Sequence, residues 1–157
     1  MGQIEDRLAE KGLSLPALFA APGGMAMSFD LVRVHGDLAY ISGHGPIDGS
    51  SALMQGKVGG ELSLQQGYEA ARATGLSILT SLKAELGELD RVRSWVKALG
   101  LVNAAPGFDR MPAVVNGFSD LILDLWGESG RHARSAIGVA ELPFDIPVEV
   151  EAIVALG

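Results

Sequence analysis

The chain contains no cysteine. That excludes a disulfide framework, a thiolate metal site and a cysteine nucleophile, and it suits a reducing compartment. Long basic runs are also missing; the densest basic stretch is Arg91, Arg93 and Lys97. Nucleic-acid affinity comes largely from basic surfaces that neutralise phosphates. With a net charge of −7 and a pI near 4.8, no nucleic-acid partner is expected. Gly12 to Phe29 carries no charge, but Pro16, Pro22, Gly23 and Gly24 interrupt it. These residues break a spanning helix, so no membrane partner is expected. Glu5, Asp6 and Glu10 against Arg7 and Lys11 lack the positive start of a signal peptide, and a cytoplasmic setting is the expectation.

The 157 residues suit one domain, expected to run over 1–157 with 1–24 as an N-terminal helix-and-loop extension. Hydrophobic residues make up 48% and charged residues 20%, the balance of a globular chain. The pattern shows no internal repeat, low-complexity segment or linker.

Periodicity predicts a short helix over 3–11, with Ile4 and Leu8 on one face. Strands over 27–34 and 37–43 are expected as a hairpin around His35-Gly36-Asp37, then a loop from Gly43 to Ser51 and a short strand between Leu53 and Val58. Ser63 and Gln66 form a capping-box pattern before a long helix over 64–86, whose stripe is Tyr68, Ala71, Gly75, Leu79, Leu82 and Leu86. Gly87 stands where a C-cap glycine belongs.

Residues 91–102 alternate as a strand. Val92, Ser94, Val96 and Ala98 take one face, and Arg91, Arg93, Trp95 and Lys97 the other. A second helix is predicted over 111–126, with Pro112 in its first turn and Val114, Phe118, Leu121, Ile122 and Leu125 as its apolar stripe. Strands over 133–140 and 147–155 close the chain. The class is α+β, in the order β-β-(β)-α-β-α-β-β, with two long helices on one face of a mixed sheet. Trp95 and Trp126 are read as core or subunit contacts.

One constellation carries chemistry. Period 2 sets His132, Arg134 and Ala136 on one face of the penultimate strand. In the last strand Val148, Val150 and Ala152 share one face, and Glu149 and Glu151 the other. An arginine in an apolar strand needs a partner, because an unpaired buried charge is costly. Two partners stand open: Glu149 or Glu151, or a ligand carboxylate, which the planar guanidinium meets with two parallel hydrogen bonds. The three histidines lack metal-ligand spacing, so no metal is expected. No helix with the phosphate-loop Lys-Ser/Thr follows Gly43 and Gly45, so that motif is absent.

The run His132-Ala133-Arg134-Ser135-Ala136-Ile137-Gly138-Val139-Ala140-Glu141-Leu142-Pro143, followed by Val148-Glu149-Val150-Glu151-Ala152, resembles the C-terminal signature of the YjgF/Rid superfamily. Members of that family include reactive-intermediate imine deaminases and proteins described as endoribonuclease L-PSP. Ile41-Ser42-Gly43-His44-Gly45-Pro46 resembles its Ser-Gly-Gln motif, and Val115-Asn116-Gly117-Phe118 its Val-Asn helix motif. The blocks fall in the family's order over roughly residues 25–155. The N-terminus and the Gly-Arg-His-Ala-Arg-Ser run look most like a subgroup of ill-defined activity.

The resemblance implies a chorismate-mutase-like fold, a homotrimer with clefts between subunits, and no cofactor. It implies hydrolysis of 2-imino acids or enamines to 2-keto acids and ammonia. Arg134 would then clamp the substrate carboxylate and Glu149 would position the attacking water. Phe29, Ser42, Gly43, His44, Asn116 and Ala136 would line the cleft around a small carboxylate metabolite. Three positions depart from the family pattern: Phe29 replaces a tyrosine, His44 a glutamine, and Ala136 a cysteine.

Structural alternatives stand beside each role. Glu149 would merely neutralise Arg134, Asn116 would bond backbone, His44 would be a turn residue, Phe29 would be core, and His132 would be exposed. The rival functions are a trimer that binds a carboxylate without turnover and, more remotely, an RNA-cleaving protein.

Overall fold

The computed structural model describes residues 2–157. Helix α1 spans Gln3–Glu10, and strands β1 and β2 span Val32–His35 and Leu38–His44. A small hairpin follows, β3 (Ile47–Asp48) and β4 (Ser51–Ala52), then α2 (Leu64–Leu86) and β5 (Val92–Asn103). Helix α3 (Met111–Trp126), β6 (Ala133–Val139) and β7 (Val148–Leu156) complete the chain. The main sheet runs β1-β2-β7-β5-β6. Only β5 and β6 pair in parallel, and α3 is the crossover that joins them. This is the expected α+β arrangement, with two long helices packed on a mixed sheet.

The helices form where the pattern places them. The Ser63 hydroxyl accepts from Gln66 N at 3.1 Å, and the Gln66 side chain accepts from Ser63 N at 2.9 Å. These bonds satisfy two backbone donors that a helix start leaves free. Gly87 ends α2 at φ 88°. All five residues of the α3 stripe are buried, and Gly117 brings α3 so close to α2 that a side chain there would strike the Tyr68 carbonyl. Removing a ring as deeply buried as Phe118 would cost about 3–5 kcal/mol.

Local expectations fail in three places. Trp95 is buried and Val96 exposed, the reverse of the strict alternation predicted for β5. The register against β7 shifts between Val92 and Ser94 and between Trp95 and Lys97, and each irregularity changes which face follows. The extra strand lies at 47–52, not 53–58; Gly56 at φ 118° interrupts the extended run there. Strand β1 begins only at Val32. Residues 21–30 instead form a strap that leaves Met25, Met27 and Phe29 exposed.

That strap is tied at both ends. Ala17 N donates to Asp48 Oδ1 at 2.8 Å, and Ala20 N to Gly49 O at 3.1 Å. At the far end Ser42 Oγ donates to Asp30 O at 2.7 Å, and Ser42 N to Leu31 O at 2.9 Å. No helix among the described residues is long and apolar enough to cross a membrane.

Candidate functional site

β6 is an edge strand, and alternation turns Arg134 toward α3. Its Nη1 donates to Asn116 Oδ1 at 2.9 Å and to Ser119 Oγ at 3.0 Å, and its Nη2 to Pro112 O at 3.3 Å. All three acceptors are neutral. No carboxylate lies within ion-pair distance of Arg134 among the described residues, so the structural pairing with Glu149 or Glu151 does not occur. Asp120, the acid one position past Ser119, accepts instead from the Tyr68 hydroxyl at 2.7 Å. Burial lowers the Arg134 pKa and the charge of Asp120 opposes that shift. The guanidinium is thus oriented by dipoles while its charge lacks a counterion. A hollow of about 150 Å³ beside it is lined by Ser119, Leu123, Arg131, His132 and Arg134.

Glu149 lies elsewhere. It pairs with Leu101, which itself pairs with Ile137, so Glu149 is two strands across and three residues along from Arg134. That separation is about 10 Å in each direction. Val148 and Val150 are buried under the helices, so alternation turns Glu149 to the opposite face. One chain therefore cannot bring the two groups together.

The Glu149 carboxylate makes no hydrogen bond or ion pair among the described residues. Burial pushes its pKa up, and the neighbouring Glu151 charge adds to the rise. It faces a second hollow of about 420 Å³, walled by Phe19, Met25, Met27, Phe29, Phe144 and Ile146 and floored by Gly43. A carboxylate with a raised pKa, at the edge of an apolar hollow, holds a proton more readily than an exposed one and is suited to proton transfer.

The predicted residues therefore divide. Asn116 and Ala136 go with Arg134 on the helix side, Ala136 packing partly buried against the core. Phe29, Gly43 and His44 go with Glu149. Ser42 goes with neither group and lines a depression of the open sheet face with Arg33, Lys97 and Glu151. His44 is not a turn residue: it ends β2 and is buried. Its Nδ1–H donates to Ser42 O at 2.6 Å, so Nε2 accepts from Ser81 Oγ at 2.8 Å. Burial lowers its pKa against the opposing backbone bond, which keeps the ring neutral. No group of three or more His, Asp or Glu side chains is arranged to hold a metal among the described residues.

Sequence reasoning missed Ser119 and Phe144. Ser119 follows Asn116 by three positions, a helical spacing that places both on one face. Phe144 gave no signal. It stands in a tight turn at φ 59° beside Asp145 at φ 54°, both left-handed. Buried Asn103 holds this turn, its Nδ2 donating to Asp145 Oδ1 and Ile146 O at 3.2 Å each. Gly56 N donates to Asp145 O at 2.8 Å, and Gln55 Nε2 to Phe144 O at 2.8 Å. The strain sets a half-exposed ring on the rim of the Glu149 hollow.

Comparison with known proteins agrees with this fold. A family model described as "YjgF/chorismate mutase-like, putative endoribonuclease" matches residues 5–151. The protein TCP17 of Trypanosoma cruzi is 42% identical over 156 residues, 99% of this chain and 95% of that protein. The crystal structure of Atu1372 from Agrobacterium tumefaciens, of unknown function, superposes with a TM-score of 0.87 at 36% identity, covering 98% of this chain and 92% of that one. A structure from Shewanella oneidensis, described as "a putative endoribonuclease", gives 0.90 at 30% identity, covering 99% and 100%.

Proposed function

The chain belongs to the YjgF/chorismate mutase-like family, and on that premise we propose that it hydrolyses a small 2-imino acid, or its enamine tautomer, at a cleft completed by a second copy of itself. The observation that carries this reading is the separation of Arg134 and Glu149 on opposite faces of one sheet. An unpaired guanidinium suits a substrate carboxylate, and an unpaired carboxylate of raised pKa suits a water. Only a neighbouring copy could bring one to the other.

The exposed edge strand β6 and the uncovered sheet face support association, with Tyr40, Val96 and Ile137 all exposed on the surface. Head-to-tail contacts that close into a ring would make a homotrimer with three equal clefts.

The chemistry needs no added group. The protonated imine carbon is already electrophilic. Water attacks it while Glu149 takes one water proton, giving a carbinolamine. Glu149 then returns that proton to nitrogen, the C–N bond breaks, and ammonia leaves as Glu149 takes the hydroxyl proton and the hydroxyl becomes the keto oxygen. Arg134 holds the carboxylate throughout, with Asn116 and Ser119 fixing the guanidinium. The apolar walls of the Glu149 hollow suit an apolar substrate side chain.

Binding without turnover is the second reading. It is favoured by Phe29 and Ala136, which bring neither hydroxyl nor thiol to the site. RNA cleavage has less support, since the hollow is apolar and the net charge is −7.

The test generates 2-aminoacrylate with a lyase and follows keto-acid release. Wild type should accelerate release, and Arg134→Ala should lose about 100-fold or more of that acceleration. No acceleration by wild type would remove the deaminase assignment. Stabilisation by 2-keto acids without turnover would leave the binding reading.

A further inference from the structure

We propose that His132 is the titratable cation of the Arg134 anion site, coupled to it through Ser119, so that the site takes up a proton with its carboxylate. This rests on the reading of Arg134 as a carboxylate clamp.

The hydrogen bonds settle the resting state. His132 Nδ1 lies 2.7 Å from the Gly130 carbonyl, which only accepts, so Nδ1 carries the proton. Nε2 of the neutral ring is then an acceptor, and the Ser119 hydroxyl donates to it at 3.0 Å. The lone pairs of that hydroxyl are left for Arg134 Nη1. Ser119 thus bridges the guanidinium and the neutral imidazole, and its proton points at His132. The ring is further fixed edge-on against Phe118, with centroids 5.8 Å apart.

Charges around the ring favour the neutral form while the site is empty. Arg134 lies two residues on, in β6, and Arg131 immediately precedes the ring. From α3 the ring meets Ser119 and Phe118, neither of them charged. The nearest acid on that helix, Asp120, is bonded to Tyr68. The preceding turn carries Glu128, whose carbonyl accepts from Arg131 N. Burial, and secondarily the Arg134 charge, lower the His132 pKa against the bond to Gly130.

An anion in the hollow reverses this balance. Negative charge a few ångströms away favours the imidazolium. Nε2 takes a proton from solvent and donates to Ser119 Oγ. The Ser119 proton is then displaced from the ring and becomes free to bond the ligand. One proton enters per carboxylate bound, and the hydroxyl changes from a donor to His132 into a donor to the ligand.

By linkage, affinity rises as pH falls toward the pKa of the unliganded ring, and it levels off below it. The ligand carboxylate stays ionised throughout, its ordinary pKa being about 3.5.

The experiment titrates 4-methyl-2-oxopentanoate into the full-length protein by calorimetry at pH 8 and pH 5.5. Buffers of differing ionisation enthalpy count the protons. Glu149→Gln is the background, which removes the other titrating group of the cleft. Affinity should rise about tenfold on going to pH 5.5, since an opposite charge at this range shifts a pKa by about one unit or more. Proton uptake should accompany it, and His132→Gln should abolish both. The His132 ring-proton NMR titration should shift upward by about one unit or more on saturation. An affinity independent of pH, or a pH dependence that survives His132→Gln, overturns the inference and leaves the clamp standing. Absence of binding at both pH values overturns the clamp and the inference together.

Discussion

Glu149 occupies the space that a side chain at Gly43 would need: a Cβ on Gly43 would stand 2.7 Å from Glu149 Oε2 and 2.9 Å from its Cδ. The glycine is therefore explained by room for the carboxylate rather than by backbone freedom. Gly43→Ala should push the carboxylate out of the hollow. Keto-acid release should drop about tenfold or more, while overpacking lowers stability by about 1–3 kcal/mol. Thermal unfolding and turnover, measured side by side, check this; a stability loss with unchanged turnover would detach Glu149 from the chemistry.

Burial raises the Glu149 pKa, so folding favours its protonated form. Any stability this contributes is full below the unfolded-state value and is lost as pH rises through the folded one. Glu149→Gln should therefore raise the unfolding midpoint at pH 8 and change it little at pH 4. An equal effect at both pH values would contradict the burial argument.

His44 has the opposite sign. Its folded pKa is lowered, so its contribution is full above the ordinary histidine value and fades as pH falls through the folded one. Wild type should lose stability between pH 7.5 and pH 5, and His44→Gln should flatten part of that loss. A ring that titrates like a free histidine by NMR would contradict the buried neutral pair with Ser81.

The Phe144 turn stores backbone strain on the rim of the Glu149 hollow. Phe144→Gly should relieve about 1 kcal/mol of it, because glycine accepts a left-handed φ and the lost ring is half exposed. The same change should weaken binding of 2-keto acids with apolar side chains relative to pyruvate. An unchanged preference would show that the ring does not meet the ligand.

The two helices and the last strand were legible in the sequence because each is dictated locally. Ser63, Gln66 and Gly87 mark ends, and the α3 stripe repeats at helical spacing. The faces of β5 were not legible, because register shifts against β7 are a property of the pairing, not of either strand. Residues 27–31 looked like strand for a related reason. Their apolar side chains border a hollow rather than a core, and composition does not distinguish the two.

At the site, alternation placed Arg134 and Glu149 on their strands, but an ion pair between them was an open alternative. What decided against it was sheet order, which sets β7 beside β5 and leaves β6 outside. His132 was legible as a neighbour of Arg134 on one face, but its link through Ser119 depends on α3 packing across β6.

The most direct measurement mixes two inactive variants, Arg134→Ala and Glu149→Gln, under conditions that let subunits exchange, and follows keto-acid release. If each cleft takes its guanidinium from one copy and its carboxylate from the next, random assortment regenerates intact clefts at roughly a quarter of the interfaces, and activity should recover to about that share of wild type. A mixture of exchanged subunits as inactive as its components would contradict the shared cleft.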